Sequence, residues 1–119
     1  MTWTIWHKST CSTSRFVLNA LRDAGADVTV RDYIADAPTA DEVRDTLRVL
    51  GLSAGELIRR KEPLFRELGL AGAGDNALIA AMVAHPNLIE RPVVLGPKSA
   101  LCRPKETVFD LLGAHDPAG

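Results

Sequence analysis

Thr2-Trp3-Thr4-Ile5-Trp6-His7-Lys8-Ser9-Thr10-Cys11-Ser12-Thr13-Ser14-Arg15 opens the chain and decides how the rest is read. Thr2 to Trp6 alternates as a strand does. From Ser14 to Ala24 the apolar residues Val17, Leu18, Leu21 and Ala24 recur at helical spacing. Cys11 therefore stands at a strand-to-helix junction, beside the first unpaired N–H groups of a helix. Those groups and the helix dipole favour an anion, so a thiol there ionises more easily than a free cysteine. Its neighbours His7, Lys8, Ser9, Thr10, Ser12, Thr13 and Ser14 are polar, which suits a reactive thiolate. The alternative is a small buried hydrophobe.

The bulk composition narrows the field. A chain of 119 residues, 46% hydrophobic and 24% charged, is expected to be one globular domain over residues 1–119. A net charge of −1 provides no general attraction to nucleic acid or to a membrane surface, so any anion site must be local. No apolar run approaches the ~20 residues of a membrane span. Lys8 follows the first strand at once, unlike a signal peptide. Two cysteines are too few for a secreted disulfide framework and have no zinc-type spacing, so no metal is expected. The expected setting is the reducing cytoplasm, and the expected state a monomer.

After the first helix and Gly25, Asp27 to Tyr33 alternates as a second strand, completing a βαβ unit. Thr39, with Glu42 three places on, has the pattern of a capping box, and the helix it opens carries Val43, Leu47 and Leu50. Further short helices are expected over Ala54–Arg60 and Phe65–Leu70, and another from Asp75 as its cap. Ile89 to Leu95 reads as a third strand and Ala100 to Cys102 as a fourth, close enough for an antiparallel hairpin. A last helix is expected to open at Pro104, and the tail after Ala114 to fray. The order β-α-β, helical insert at about 39–85, then β-β-α resembles the thioredoxin-like arrangement. It is an α/β class fold with a mixed four-stranded sheet flanked by helices.

The candidate groups follow from that layout. His7 next to Cys11 could stay charged and favour the thiolate, or could be a surface histidine. Arg15, one helical turn on, faces the sulfur or only water. Ser14 occupies the place of the second sulfur of a Cys-x-x-Cys pair, so Cys11 cannot close that disulfide. An external thiol or Cys102 must resolve any adduct, and Cys102 sits in an apolar strand where packing is the simpler reading. Arg59 with Arg60, Arg91 and Arg103 stand at element ends. Guanidinium groups suit tetrahedral oxyanions, and the alternative for each is a solvated charge. Pro92, before the third strand, is a candidate cis-proline set against the active sulfur; an ordinary trans bond is the alternative.

Four stretches together resemble the glutathione/glutaredoxin-coupled arsenate reductases: His7 to Arg15, Leu57-Ile58-Arg59-Arg60, His85 to Pro92, and Leu101-Cys102-Arg103-Pro104. The likeness spans nearly the whole chain. It departs at Lys8-Ser9, where many members have Asn-Pro. The resemblance implies a catalytic Cys11 and oxyanion-binding Arg59, Arg91 and Arg103. It matches His7 to a histidine near the thiolate, and His7, Ser14 and Arg15 are the expected stabilisers of the thiolate. It implies no bound cofactor, arsenate as substrate, glutathione as co-substrate and glutaredoxin as partner. The rival expectations are a glutathione-linked monothiol oxidoreductase with another substrate and an RNA-polymerase-binding regulator. Ser14 disfavours the regulator, because such regulators usually keep a Cys-x-x-Cys switch.

Overall fold

The computed structural model describes residues 2–113. The elements run β1 (Thr2–His7), α1 (Ser12–Asp23), β2 (Asp27–Asp32), α2 (Ala40–Leu50), α3 (Ala54–Leu57), α4 (Pro63–Glu67) and α5 (Asp75–Ala84). A 3-10 turn over Pro86–Leu88 follows, then β3 (Val93–Leu95), β4 (Ala100–Leu101) and α6 (Thr107–Gly113). The tail after Ala114 lies outside the described residues. The chain forms two compact units, one holding the four strands with α1 and α6, the other being Ile34–Glu90.

In the first unit the sheet order is β2-β1-β3-β4. The α1 crossover makes β1 and β2 parallel, in a register from Thr2↔Asp27 to His7↔Asp32. β1 runs antiparallel to β3, with Ile5 opposite Val94, and β3 antiparallel to β4. This is the mixed four-stranded sheet of a thioredoxin-like chain. β1 is central, and its Trp3, Ile5 and Trp6 side chains are buried. Trp3 and Ile5 join Val17, Leu18 and Leu21 of α1, Val94 and Cys102, and Val108 and Leu111 of α6 in one core. Burying each of the larger of these side chains contributes about 1.5–3 kcal/mol. Trp6 stacks on Tyr33, with ring centroids 6.4 Å apart, and carries the Arg31 guanidinium 5.4 Å from its centroid. Gly96, just past β3, lies under the Trp3 indole. A Cβ there would sit 2.5 Å from Trp3 Cε3, so only glycine lets the turn close over the ring.

In the second unit, α5 packs against α2, α3 and the 3-10 turn. Val43, Leu47, Leu57, Leu78, Ile79 and Met82 are buried. Thr39 Oγ1 accepts from Glu42 N–H and the Glu42 carboxylate from Thr39 N–H, each at 3.1 Å, forming the capping box. Ser53 and Glu56 repeat the device for α3.

Several element boundaries differ from the sequence reading, among them the helix expected over Phe65–Leu70, which is Pro63–Glu67. The helix expected over Ala54–Arg60 stops at Leu57, because Ile58 is extended and bridges antiparallel to Ile89. Ile89 is thereby used in the insert, and β3 begins only at Val93. Asp75 is the first helical residue of α5 rather than its cap, which is Gly74. Lys105 and Glu106, expected inside the last helix, instead form a turn in which Thr107 N–H donates to Pro104 O at 3.0 Å, and α6 starts at Thr107.

Candidate active site

Cys11 is the N-cap of α1, in extended conformation (φ −94, ψ 120). Its own N–H donates to Lys8 O, and its carbonyl accepts from Arg15 N–H, both at 3.0 Å. A tight Lys8–Cys11 turn thus delivers the residue to the helix start, with its side chain half-buried. Burial opposes ionisation of the thiol. The backbone N–H groups of Ser14 and Thr13 and the Arg91 guanidinium, all hydrogen-bonded to the sulfur, outweigh it and hold Cys11 below the ordinary thiol range.

His7 ends β1 and is buried, and its Nδ1 lies 2.6 Å from Ser14 Oγ. That hydroxyl also accepts from Lys8 N–H at 3.2 Å. Burial, then Arg22, push the imidazole pKa down; Asp32 pulls it up, and Arg15 adds a smaller push down. His7 is therefore favoured neutral, where a charged ring beside the thiolate was one sequence-based expectation. It reaches the first turn of α1 by a hydrogen bond to Ser14. Arg15 Nη1 donates to Ser9 O at 2.8 Å, which braces the loop before Cys11.

Arg91 is buried, and Arg103 Nη1 donates to its carbonyl at 2.9 Å. The Arg91–Pro92 and Arg103–Pro104 peptide bonds are both cis. Pro92 O accepts from Cys102 N–H at 2.9 Å, tying the segment before β3 to the end of β4. Cys102 is fully buried, and burial pushes its thiol up to about 12, so it stays protonated at neutral pH. Within the first unit the fold brings together Cys11, His7, Ser14, Arg15, Arg91, Pro92 and Arg103. Arg59 belongs to the second unit, where Nη1 pairs with Glu90 Oε1 at 2.8 Å. Sequence reasoning missed Glu90, because no local pattern links residues 31 positions apart. Among the described residues, no group of three or more His, Cys, Asp and Glu is placed to hold a metal ion.

A thiol held low, with the Arg91 guanidinium on its sulfur and the Arg103 guanidinium bonded to the Arg91 carbonyl, can attack an electrophilic centre that carries negative oxygens. Known proteins carry the same architecture. The ArsC family model matches residues 6–111. An arsenate reductase of Rhizobium meliloti is 42% identical over 94% of this chain and 82% of its own length. The uncharacterized protein YfgD of Escherichia coli is also 42% identical, over 92% of this chain and 95% of its own. A solved structure of an arsenate reductase from Vibrio cholerae superposes with a TM-score of 0.88 at 37% identity, covering 92% of this chain and 97% of that one. With the sequence match running from the end of β1 into α6 and the fold shared over the same span, the chain belongs to the ArsC family.

Proposed function

We propose that this protein is an arsenate reductase in which Cys11 is the nucleophile. The observation that supports it best is the Cys11 sulfur, held below the ordinary thiol range with the Arg91 guanidinium bonded to it. Thiolate and arsenate are both anions, and their repulsion is the first barrier. Arg91 and Arg103, with Arg59 assigned by its motif, neutralise the oxyanion and stabilise charge as the S–As bond forms. His7 and Ser14 keep the first turn of α1 in register, and Arg15 holds the loop, so the thiolate keeps its donors.

The thiolate attacks arsenic, one arsenate oxygen leaves as water after protonation, and Cys11 carries a thiol-arsenate adduct. Arsenic must then accept two electrons, which requires a second thiol. The chain has two cysteines, and Cys102 is buried and protonated. The second thiol is therefore external, and glutathione fills that role. Its attack leaves arsenite and a mixed disulfide between Cys11 and glutathione, from which glutaredoxin removes the glutathione. No bound cofactor enters this cycle. The chain works as a monomer in the reducing cytoplasm, where glutathione is abundant. No helix among the described residues is long and apolar enough to cross a membrane.

Arsenate-dependent NADPH consumption with glutathione, glutathione reductase and a panel of glutaredoxins tests the reading. Activity in the wild type and none in Cys11→Ser is the expected result. Full activity in Cys11→Ser overturns it.

A further inference from the structure

Arg59 and Glu90 form a charge pair inside the insert unit, with Nη1 and Oε1 2.8 Å apart and the side chains 24% and 21% exposed. The backbone sets it up. Ile58 bridges antiparallel to Ile89, and Glu90 N–H donates to Leu57 O at 2.9 Å. On the other side of the bridge, Arg59 N–H donates to Leu88 O. In this short ladder Arg59 stands opposite Leu88, and Glu90 is two residues beyond Leu88. Arg59 follows Ile58 and Glu90 follows Ile89 on the two antiparallel segments, so the two stand diagonally across that single bridge.

We propose that Glu90 is a positioning residue that orients the Arg59 guanidinium for the oxyanion without touching arsenate itself. The proposal rests on the oxyanion role given to Arg59 above. A free arginine side chain samples many rotamers, and an anion that binds it must pay to order them. A partly buried carboxylate on Nη1 selects one orientation beforehand through a directional, charge-assisted bond. The guanidinium has five N–H donors, so engaging Nη1 leaves others for a tetrahedral oxyanion. Glu90 also directly precedes Arg91.

The test measures arsenate KM, inorganic phosphate Ki and the pH profile of Cys11 alkylation in wild type, Arg59→Ala, Glu90→Ala, Glu90→Asp and Glu90→Gln. Glu90→Ala is expected to raise KM and Ki together by about 3- to 10-fold. Glu90→Asp, whose shorter arm withdraws the acceptor, behaves likewise and serves if the alanine variant does not fold. Glu90→Gln keeps an acceptor oxygen and returns both constants to within about twofold of wild type. The alkylation profile stays at the wild-type position throughout, which a general disturbance of the Arg91 segment would not allow. If Arg59→Ala raises KM and Ki while Glu90→Ala and Glu90→Asp leave them unchanged, Glu90 does not position Arg59. If all three Glu90 variants lower KM, the carboxylate competes with the oxyanion and the proposal is overturned. If Arg59→Ala itself changes neither constant, the oxyanion role of Arg59 fails first and the role of Glu90 fails with it.

Discussion

His7 Nδ1 and Ser14 Oγ lie 2.6 Å apart, joining the last residue of β1 to the first turn of α1 beneath Cys11. Ser14 is fully buried, and its hydroxyl serves both the imidazole and Lys8 N–H. Ser14→Ala strips two groups of their shared partner. Leaving buried polar groups unsatisfied costs about 1–3 kcal/mol. Urea unfolding should show a loss of that size. The Ser14 backbone N–H is retained, so Cys11 alkylation should keep its wild-type pH profile. An unchanged unfolding midpoint would mean that water replaces the hydroxyl at no cost.

The same pair sets a pH dependence. His7 has its folded pKa depressed below 6.5, by burial first and then by Arg22 and Arg15. Below 6.5 the unfolded chain takes up a proton that the folded chain resists, so the unfolded state binds more protons. Stability from this site is complete above 6.5 and falls as pH drops through that value toward the folded pKa. Unfolding free energies measured from pH 7.5 downward should decline below 6.5 in wild type and decline less in His7→Gln. Equal slopes in both would assign the dependence to other groups.

Arg91 is expected to act on both protonation and rate. Its guanidinium is one of the donors holding the Cys11 thiol down, behind the backbone N–H groups of Ser14 and Thr13. Arg91→Ala should move the iodoacetamide pH profile of Cys11 upward. It should also lower kcat/KM for arsenate on the order of 10²-fold, as expected for losing a charged donor to an oxyanion. Arg103→Ala should act more mildly on the thiol, because its contact is with the Arg91 carbonyl. A change below about twofold in kcat/KM for Arg91→Ala would remove it from the oxyanion site.

Cys102 separates an external from an internal second thiol. With its thiol pushed up to about 12 by burial, it is un-ionised across the physiological range. Native protein should therefore show one thiol reactive toward a disulfide reagent at pH 8, and two after denaturation. Cys102→Ser should turn over with glutathione and glutaredoxin at the wild-type rate. Loss of turnover in a folded Cys102→Ser protein would make Cys102 the resolving thiol.

Local rules were enough for much of this protein. The alternation of Thr2 to Trp6, the spacing of Val17, Leu18 and Leu21, and the Thr39–Glu42 capping box are settled by neighbours within one or two turns of chain. Each appears in the structure where its pattern lies. The placement of Cys11 at a helix N-cap belongs with them. The Ile58–Ile89 bridge, the Arg59–Glu90 pair and the Arg91 contact with the sulfur join residues tens of positions apart. No period or cap encodes such partners, because what selects them is the burial and hydrogen-bond satisfaction of both partners at once. The sequence by itself therefore determined which cysteine stands at the start of the first helix and what kind of fold presents it. The tertiary structure decided that His7 is bonded to Ser14 with its pKa pushed down, that Cys102 is sealed in the core, and that Glu90 pairs with Arg59. Each of those depends on a local dielectric and a partner that exist only once the chain has closed.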